Sequence, residues 1–525
     1  MTWALRLFGH AFDIFVYVLC RDARAVFVLD LLVQGECFCL LILRLKYLGG
    51  FFQADRRQTV VSGEFCGFFE RSNGLVELVC RSVAVGQRIE CGRRNRHIVL
   101  RIESFKVRNS FLVLALLGVA DASIEVSKVA GIGVTGSIIM LISACSAFVG
   151  GGGAPLAAIA LGQGDRQRAE KLLGNGFMLL LIFSVVFMVA VYSYMKPLLY
   201  LIGASDHTIV YAVDYLTVYL SGTVFVQLAV GLNPFINTQG RPGVAMFSVV
   251  IGAVLNIVLD PLFIFVFGMG VKGAAIATVI SQAASAVWVM EFLTSKKATL
   301  RLRRENIGLE RSVVLAIMGL GVSPFIMSST ESLVGFVLNS SLVHFGDIYV
   351  SALAIMQSAM LVVSVPLVGF SQGFVPVASY NYGHGNNARV KECFRIVVLV
   401  MFTFNLLLVL FMIFFPELVA SAFTEDKNLI NVVGQYMPLF LAGMSIFGLQ
   451  RACQNMFVAL GQAKISVFIA LLRKIILLIP LVLLLARIVG LEGVFAAEAI
   501  SDATAAVLCT LIFAWQFPRI LRRNI

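Results

Sequence analysis

A carboxylate stands in the middle of one apolar run. Glu331 lies within SPFIMSSTESLVGFVLNSS, residues 323–341, with Asn339 two helical turns further along a similar face. A charged group taken out of water is costly, so it faces a cavity or a partner. Its protonation then follows whatever water and charge can reach it, which suits a step that takes up a proton or a sodium ion. Helix-to-helix hydrogen bonding is the competing role. Arg473 and Lys474 sit side by side in another apolar run, before Pro480. Two buried cations need counter-charges or water, and a structural ion pair meets that need as well as a functional one. Glu331 and Arg473 are the candidates for cation coupling. Amides supply the remaining chemistry: Asn233, Asn256, Asn339, Gln357, Gln372 and Gln454 are candidates to line a cleft and hold substrate, with interhelical bonding the alternative for each. Asp260 precedes Pro261 near the end of its run, where capping or loop structure is expected.

Motifs for enzymatic work are absent. GIGVTG at 131–136 has the spacing of a dinucleotide fingerprint, but it opens an apolar run and lacks the preceding strand that the fingerprint needs. GGGG at 150–153 is not followed by Lys-Ser/Thr, so it is no phosphate loop. Small residues at such places let helices approach closely. There is no HExxH, no GxSxG and no carboxylate pair at catalytic spacing. Cys37 and Cys39 form the one close cysteine pair, with no histidine at ligand spacing, so no metal centre and no cofactor are expected.

The elements that carry these residues follow from composition. Of 525 residues 59% are apolar and 13% charged, and the mean hydropathy is +0.93. A soluble core cannot hide so much apolar surface, whereas about 20 apolar residues span a bilayer. The chain reads as an all-α polytopic membrane protein. A soluble enzyme, a secreted disulfide scaffold and a nucleic-acid binder are excluded, although the net charge is +12. That basic excess suits loops facing anionic lipid.

Two copies of one unit make up most of the chain. GVKGAAIATVISQAASAV at 270–287 aligns with GLEGVFAAEAISDATAAV at 490–507, sharing Gly270/Gly490, Gly273/Gly493, Ala277/Ala497 and Ser281/Ser501. LGQGDRQRAEK at 161–171 aligns with YGHGNNARVKE at 382–392, and Tyr215/Tyr436 and Gly222/Gly443 keep nearly the same offset. The second half holds six apolar spans and the first holds five. The missing span should lie near 92–120, where only FLVLALLGVA at 111–120 is apolar. The expected organisation is an Arg- and Cys-rich region over 1–128, helices two to six over 129–294, a basic linker over 295–311, helices seven to twelve over 312–518 and a basic tail over 519–525. Lys and Arg gather on one side of the spans, including Arg166, Lys297, Arg304, Arg389 and the tail, so that side and the C-terminus are expected in the cytoplasm. Both halves then begin inside, as parallel repeats of six helices facing a central cleft.

Residues 233–282, NPFINTQGRPGVAMFSVVIGAVLNIVLDPLFIFVFGMGVKGAAIATVISQ, closely resemble the multidrug and toxic compound extrusion (MATE) family. GGGGAPLAAIALGQGDRQRAEKLLGN (150–175), GFSQGFVPVASYNYGHGNNARVKE (369–392) and FVALGQAKISVFIALLRKIILLIP (457–480) resemble its bacterial, drug-exporter-like branch. The resemblance covers about 129 to 518. It implies twelve helices in two lobes, alternating access, and export driven by inward sodium or proton flow. Glu331 falls in the family's seventh-helix acidic segment, and Arg473 matches an arginine often found in the eleventh helix. The family's first helix carries an Asp within a motif like VDRIFIG. That Asp would fall near Leu116, where no such motif stands, and Asp121 does not take its place. The break suggests that residues 1 to about 128 are an out-of-frame or misassigned start, a divergent extension being the other explanation.

The expected function is therefore export of amphipathic organic compounds, cationic ones foremost, by a monomeric sodium- or proton-coupled antiporter of the inner membrane. Its partners are small organic substrates, the coupling cation and the bilayer, with no nucleic acid. A flippase for lipid-linked precursors is the alternative within the same superfamily, and a transporter disabled by its damaged first helix is the third reading.

Overall fold

Apolar runs of 25 to 37 residues, separated by short turns of glycine and polar residues, fold into long helices. In a bilayer every backbone polar group must be satisfied within the span. A computed structural model describes residues 122–523, and all regular structure among them is helical. In chain order the first half contains α1 (Ala122–Gly162), α2 (Arg166–Ser193), the short α3 (Met195–Ile202), α4 (Ile209–Ser221), α5 (Thr223–Thr238), α6 (Pro242–Pro261) and α7 (Gly270–Thr294). The second half contains α8 (Arg311–Val343), α9 (Asp347–Gly383), α10 (Asn387–Phe414), the short α11 (Pro416–Ser421), α12 (Lys427–Leu441), α13 (Phe447–Ala459), α14 (Ala463–Leu471), α15 (Ile479–Ile488) and α16 (Leu491–Arg523). Nine stretches among the described residues are long and apolar enough to cross a membrane, and two bent pairs bring the number to eleven. The helix expected near 92–120 and the rest of the Arg- and Cys-rich region lie outside the described residues, apart from the start of α1.

The repeated sequence anchors have structural work to do. Gly164 and Gly385 take φ of 80° and 76°, a left-handed turn that a side chain would strain. The next residue caps the following helix in both cases: Asp165 accepts from the Arg168 amide and Asn386 from the Arg389 amide. Gly240 and Gly461 repeat the left-handed turn, with φ of 70° and 69° before α6 and α14, but not the side-chain cap.

Proline residues 234, 261, 324, 366 and 480 are candidate bending points in the sequence. Two helix pairs bend sharply at a break, α4 with α5 (58°) and α12 with α13 (44°). The breaks sit at Gly222 and Gly443, the matched pair of the repeat. A Cβ on Gly222 would strike the Val279 side chain, and one on Gly443 would strike the Ala499 carbonyl. Glycine at each bend thus lets α7 and α16 pack closely against it. Pro261 instead stands before a π-helical stretch, Leu262–Val266, and Pro480 follows another, Leu472–Leu478.

The first half packs around Leu173, Leu180, Leu232, Phe235 and Ile236, all fully buried. Val186, Val258, Leu399 and Leu511 stay exposed on the outside, where hydrocarbon replaces water. The halves meet along α1. Gly152 packs its backbone on Ile317 and Gly321 of α8, and Gly321 packs on the Phe148 carbonyl. At the end bearing the basic loops, Gly162 meets the Tyr380 carbonyl while Gly383 meets the Ile159 carbonyl, a reciprocal crossing of α1 and α9. At the opposite end Gly133 and Gly136 meet nothing within 4 Å among the described residues. The halves are joined at the basic end.

Candidate binding cavity and its ion-paired counterpart

A cavity of about 400 Å³ opens in the first half between α5, α6 and α7. Asn233 and Asn237 line it from α5, Ser248, Gly252 and Asn256 from α6, and Thr278, Ser281, Gln282 and Ser285 from α7. Gln372 reaches it from α9 of the second half. Ala245, Met246 and Val249 give it apolar walls. Gly252 lets α6 approach α7 closely, since a Cβ there would strike Ser285 Oγ. Asn233 Nδ2 donates to the Ala245 carbonyl (2.9 Å) and to Ser248 Oγ (2.6 Å), while Ser285 Oγ donates to the Ser248 carbonyl (2.7 Å). Asn256 Nδ2 donates to Asp260 Oδ1 at 3.0 Å and lies 3.4 Å from Thr278 Oγ1. The cavity therefore joins neutral hydrogen-bonding groups to one carboxylate set a helical turn beyond its wall.

The second half uses the same ground differently. The turn glycines Gly240 and Gly461 match Gly252 with Arg473 and Ala253 with Lys474. Gly270 and Gly490 match Thr278 with Glu498 and Gln282 with Asp502. Where the first half leaves a cavity, the second half places two ion pairs. Arg473 Nε and Nη2 bind the two oxygens of Asp502 at 2.6 and 3.1 Å, and its guanidinium lies 4.2 Å from the Phe447 ring centroid. Lys474 Nζ binds Glu498 Oε1 at 2.9 Å. Both acids are buried, and Glu498 Oε2 has no protein partner among the described residues. Ser501 Oγ donates to the Arg473 carbonyl and fixes α16 to the π-helical stretch.

Of the residues singled out in the sequence, Asn233, Asn256 and Gln372 come together at the cavity. Gln454 is buried in the second half, its Nε2 3.1 Å from Met327 Sδ. Gln357 is half-buried on α9 and Asn339 is exposed on α8. Glu331 lies on α8, and its side chain is outside the described ones. Arg473 is committed to Asp502. Asp260, expected in capping or loop structure near the end of its run, stands in the last turn of α6, one turn after Asn256. The sequence alone did not single out Glu498, Asp502 or Gln282, and Ser281 stood out there only as an anchor of the repeat. The two acids lie within the repeated motif itself, at positions where the first copy has Thr278 and Gln282, and an acid replacing a neutral residue inside a span is the signal that marks them.

The basic linker is tied to the first half by a buried acid. Glu170 accepts from Arg166 (3.1 Å), lies 3.3 Å from Arg303 Nε, and is 3.3 Å from Asn306 Nδ2. Lys171 Nζ binds Glu310 at 2.9 Å, and Asn175 Oδ1 accepts from the Glu310 amide at 2.7 Å.

Two homologous helical halves, closed at one end and enclosing a polar cavity within the spans, define a polytopic membrane transporter. The MatE family profile matches residues 112–262 and 324–484, one segment in each half. The multidrug export protein MepA of Staphylococcus aureus (strain N315) is 25% identical over 312 residues, 59% of this chain and 69% of that protein. MepA of Staphylococcus haemolyticus is 22% identical over 401 residues, covering 76% and 88% of the two chains. The solved structure of the MATE multidrug transporter DinF-BH in complex with R6G is 32% identical with a TM-score of 0.70, over 76% of this chain and 89% of that one. The chain belongs to the MatE family, the multidrug and toxic compound extrusion transporters. The match begins at residue 112, within the apolar stretch 111–120 that reads as half a span.

Proposed function

We propose that the protein exports small organic compounds in exchange for an inward-moving sodium ion or proton, alternating which end of the cleft is open. It works as a monomer in the inner membrane with its basic loops and C-terminus in the cytoplasm. One observation carries the coupling: Asn256 lines the cavity and also holds Asp260, a carboxylate inside a span. An ion or proton taken up at Asp260 competes for the same hydrogen bond, so it changes how Asn256 faces a ligand. Glu331 is a second acid within a span and a second place for coupling. Flipping of a lipid-linked precursor calls for a wide cationic cleft, and no cation lines this cavity among the described residues.

The test is dye uptake into inverted vesicles from bacteria lacking their own exporters. Uptake into the vesicles should follow an imposed sodium or pH gradient. Asp260→Asn should abolish gradient-driven uptake while equilibrium dye binding survives. Full transport by Asp260→Asn and by Glu331→Gln would overturn the coupling reading.

A further inference from the structure

A second hollow, of about 330 Å³, lies in the first half between α5 and α7. Phe225 and Leu228 line it from α5, and Val287, Met290, Glu291 and Thr294 from α7. At 3.6 residues per turn these α7 positions fall on the face opposite Thr278, Ser281 and Gln282, which line the polar cavity. Val287 is 62% exposed and Phe225 38%, so the hollow is a groove on the outer surface, against lipid. Its depth follows from Trp288, whose Nε1 donates at 3.0 Å to the Val244 carbonyl in the first turn of α6. Indoles gather where hydrocarbon meets headgroups. Glu291 stands about one turn beyond Trp288 towards the basic loops, at headgroup level.

The charges around the groove are unspent. Glu291 is exposed and makes no ion pair among the described residues, whereas Glu170 and Glu310 at the same end are both paired. Lys296 and Lys297 follow the end of α7, exposed and likewise without an acid among the described residues. The backbone there is fixed: Arg301 Nη2 donates to the Lys296 carbonyl (2.7 Å) and the Lys297 amide to Ser295 Oγ (3.2 Å). Thr294 Oγ1 donates to the Met290 carbonyl, which leaves Glu291 as the polar group offered to an occupant of the groove. An apolar trough thus ends in one acid with two cations just past it. That pattern is complementary to a lipid carrying both signs of charge on its headgroup.

We propose that the groove is a binding site for phosphatidylethanolamine, the lipid class with a primary ammonium beside its phosphate. The ammonium donates to the Glu291 carboxylate, the phosphate meets Lys296 and Lys297, and an acyl chain lies on Phe225, Val287 and Met290. Glu291 disfavours a lipid that brings negative charge alone, and a choline headgroup has no N–H to donate to it. The site is separate from the polar cavity and stands whatever that cavity carries.

The experiment is photo-crosslinking of the purified full chain in nanodiscs. Phosphatidylethanolamine, phosphatidylcholine and phosphatidylglycerol are compared, each with the same diazirine-bearing chain, and peptide mapping reads the label at 225–228 and 286–294. Phosphatidylethanolamine should label these stretches about threefold more than either other lipid, the reach of one partly exposed ion pair. Glu291→Gln should remove the preference, and Glu291→Lys should turn it to phosphatidylglycerol. Lys296→Gln with Lys297→Gln should lower labelling by both of those lipids. Labelling around Leu399 and Leu511, exposed in the other half, should stay the same in every variant and so establish that each folds. Equal labelling by the three lipids in wild type, preference for phosphatidylglycerol, or a preference that survives Glu291→Gln overturns the proposal. So does loss of all groove labelling on adding decylammonium in equal amount, which would make the occupant an organic cation.

Discussion

Arg473 holds both carboxylate oxygens of Asp502, at 2.6 and 3.1 Å, on the ground where the first half has Gly252 and Gln282. One scaffold has thus been put to two uses, an open neutral cavity in one copy and a closed salt-bridged seam in the other. Arg473 is 13% exposed and Asp502 1%, so the pair is shielded from solvent. Its two members were each desolvated, and their attraction in low dielectric offsets that cost only while both are present.

Single removal should therefore be worse than double removal. Asp502→Asn or Arg473→Met should each cost about 3–5 kcal/mol, the range for breaking a buried pair. Arg473→Met with Asp502→Leu should recover most of that loss. The Lys474–Glu498 pair should cost less to break, because Glu498 Oε2 already lacks a partner. Double-mutant cycles from denaturation in mild detergent measure the couplings. Additive losses at Arg473 and Asp502 would show that the two side chains do not act as a pair.

The hinge glycines should differ in tolerance. At Gly222 an added methyl meets the Val279 side chain, which can shift by repacking, whereas at Gly443 it meets the Ala499 backbone carbonyl. Gly222→Ala should cost about 1–3 kcal/mol, as overpacking usually does, and Gly443→Ala should cost more. Unfolding midpoints compared in one detergent check the order, and a milder effect at Gly443 would contradict it.

Much of this architecture is legible in the sequence for simple physical reasons. Apolar runs give the spans, and Gly164/Gly385 and Gly270/Gly490 betray the repeat because positive φ leaves little choice of residue. The bends at Gly222 and Gly443 are not legible, since the need for glycine comes from Val279 and Ala499 on other helices. The same holds for the ion pairs. Arg473 was visible as a buried cation, but its partner lies 29 residues away on the next span. Nothing in local pattern joins them. Three of the amides chosen for their place within apolar runs, Asn233, Asn256 and Gln372, do share one cavity, while Gln454 packs inside the second half instead. Polarity within a span marks a residue as costly, and only packing decides what it faces.

Reciprocity at the basic end makes a sharper prediction. Gly162 meets the Tyr380 carbonyl as Gly383 meets the Ile159 carbonyl, so the two contacts are one contact seen from either half. Gly162→Val and Gly383→Val should push α1 and α9 apart equally. Spin labels at Gln163 and Asn387 should show longer and broader distances by pulsed resonance in both variants, with similar shifts. A shift in one variant alone would mean that the crossing is not symmetric in function.

The linker should come loose only in acid. The hydrogen bond from Lys171 holds the Glu310 carboxyl below its ordinary value of 4.5, with the Ser312 hydroxyl and the Lys171 charge acting in the same direction. A carboxyl lowered in the folded state favours that state above its ordinary value. The contribution then fades as pH falls through the lowered value. Anchoring of residues 304–311 through Glu310 should thus be intact at neutral pH and lost well below pH 4.5. Glu170 ties Arg303 and Asn306 separately, so the stretch beside Glu310 should exchange first. Hydrogen exchange across a pH series, corrected for intrinsic rates, follows this directly. Glu310→Gln should give fast exchange at every pH, because a neutral amide cannot hold the Lys171 ammonium by charge. Protection in that variant equal to wild type at pH 7 would show that Asn175, which binds the Glu310 backbone amide, anchors the linker alone.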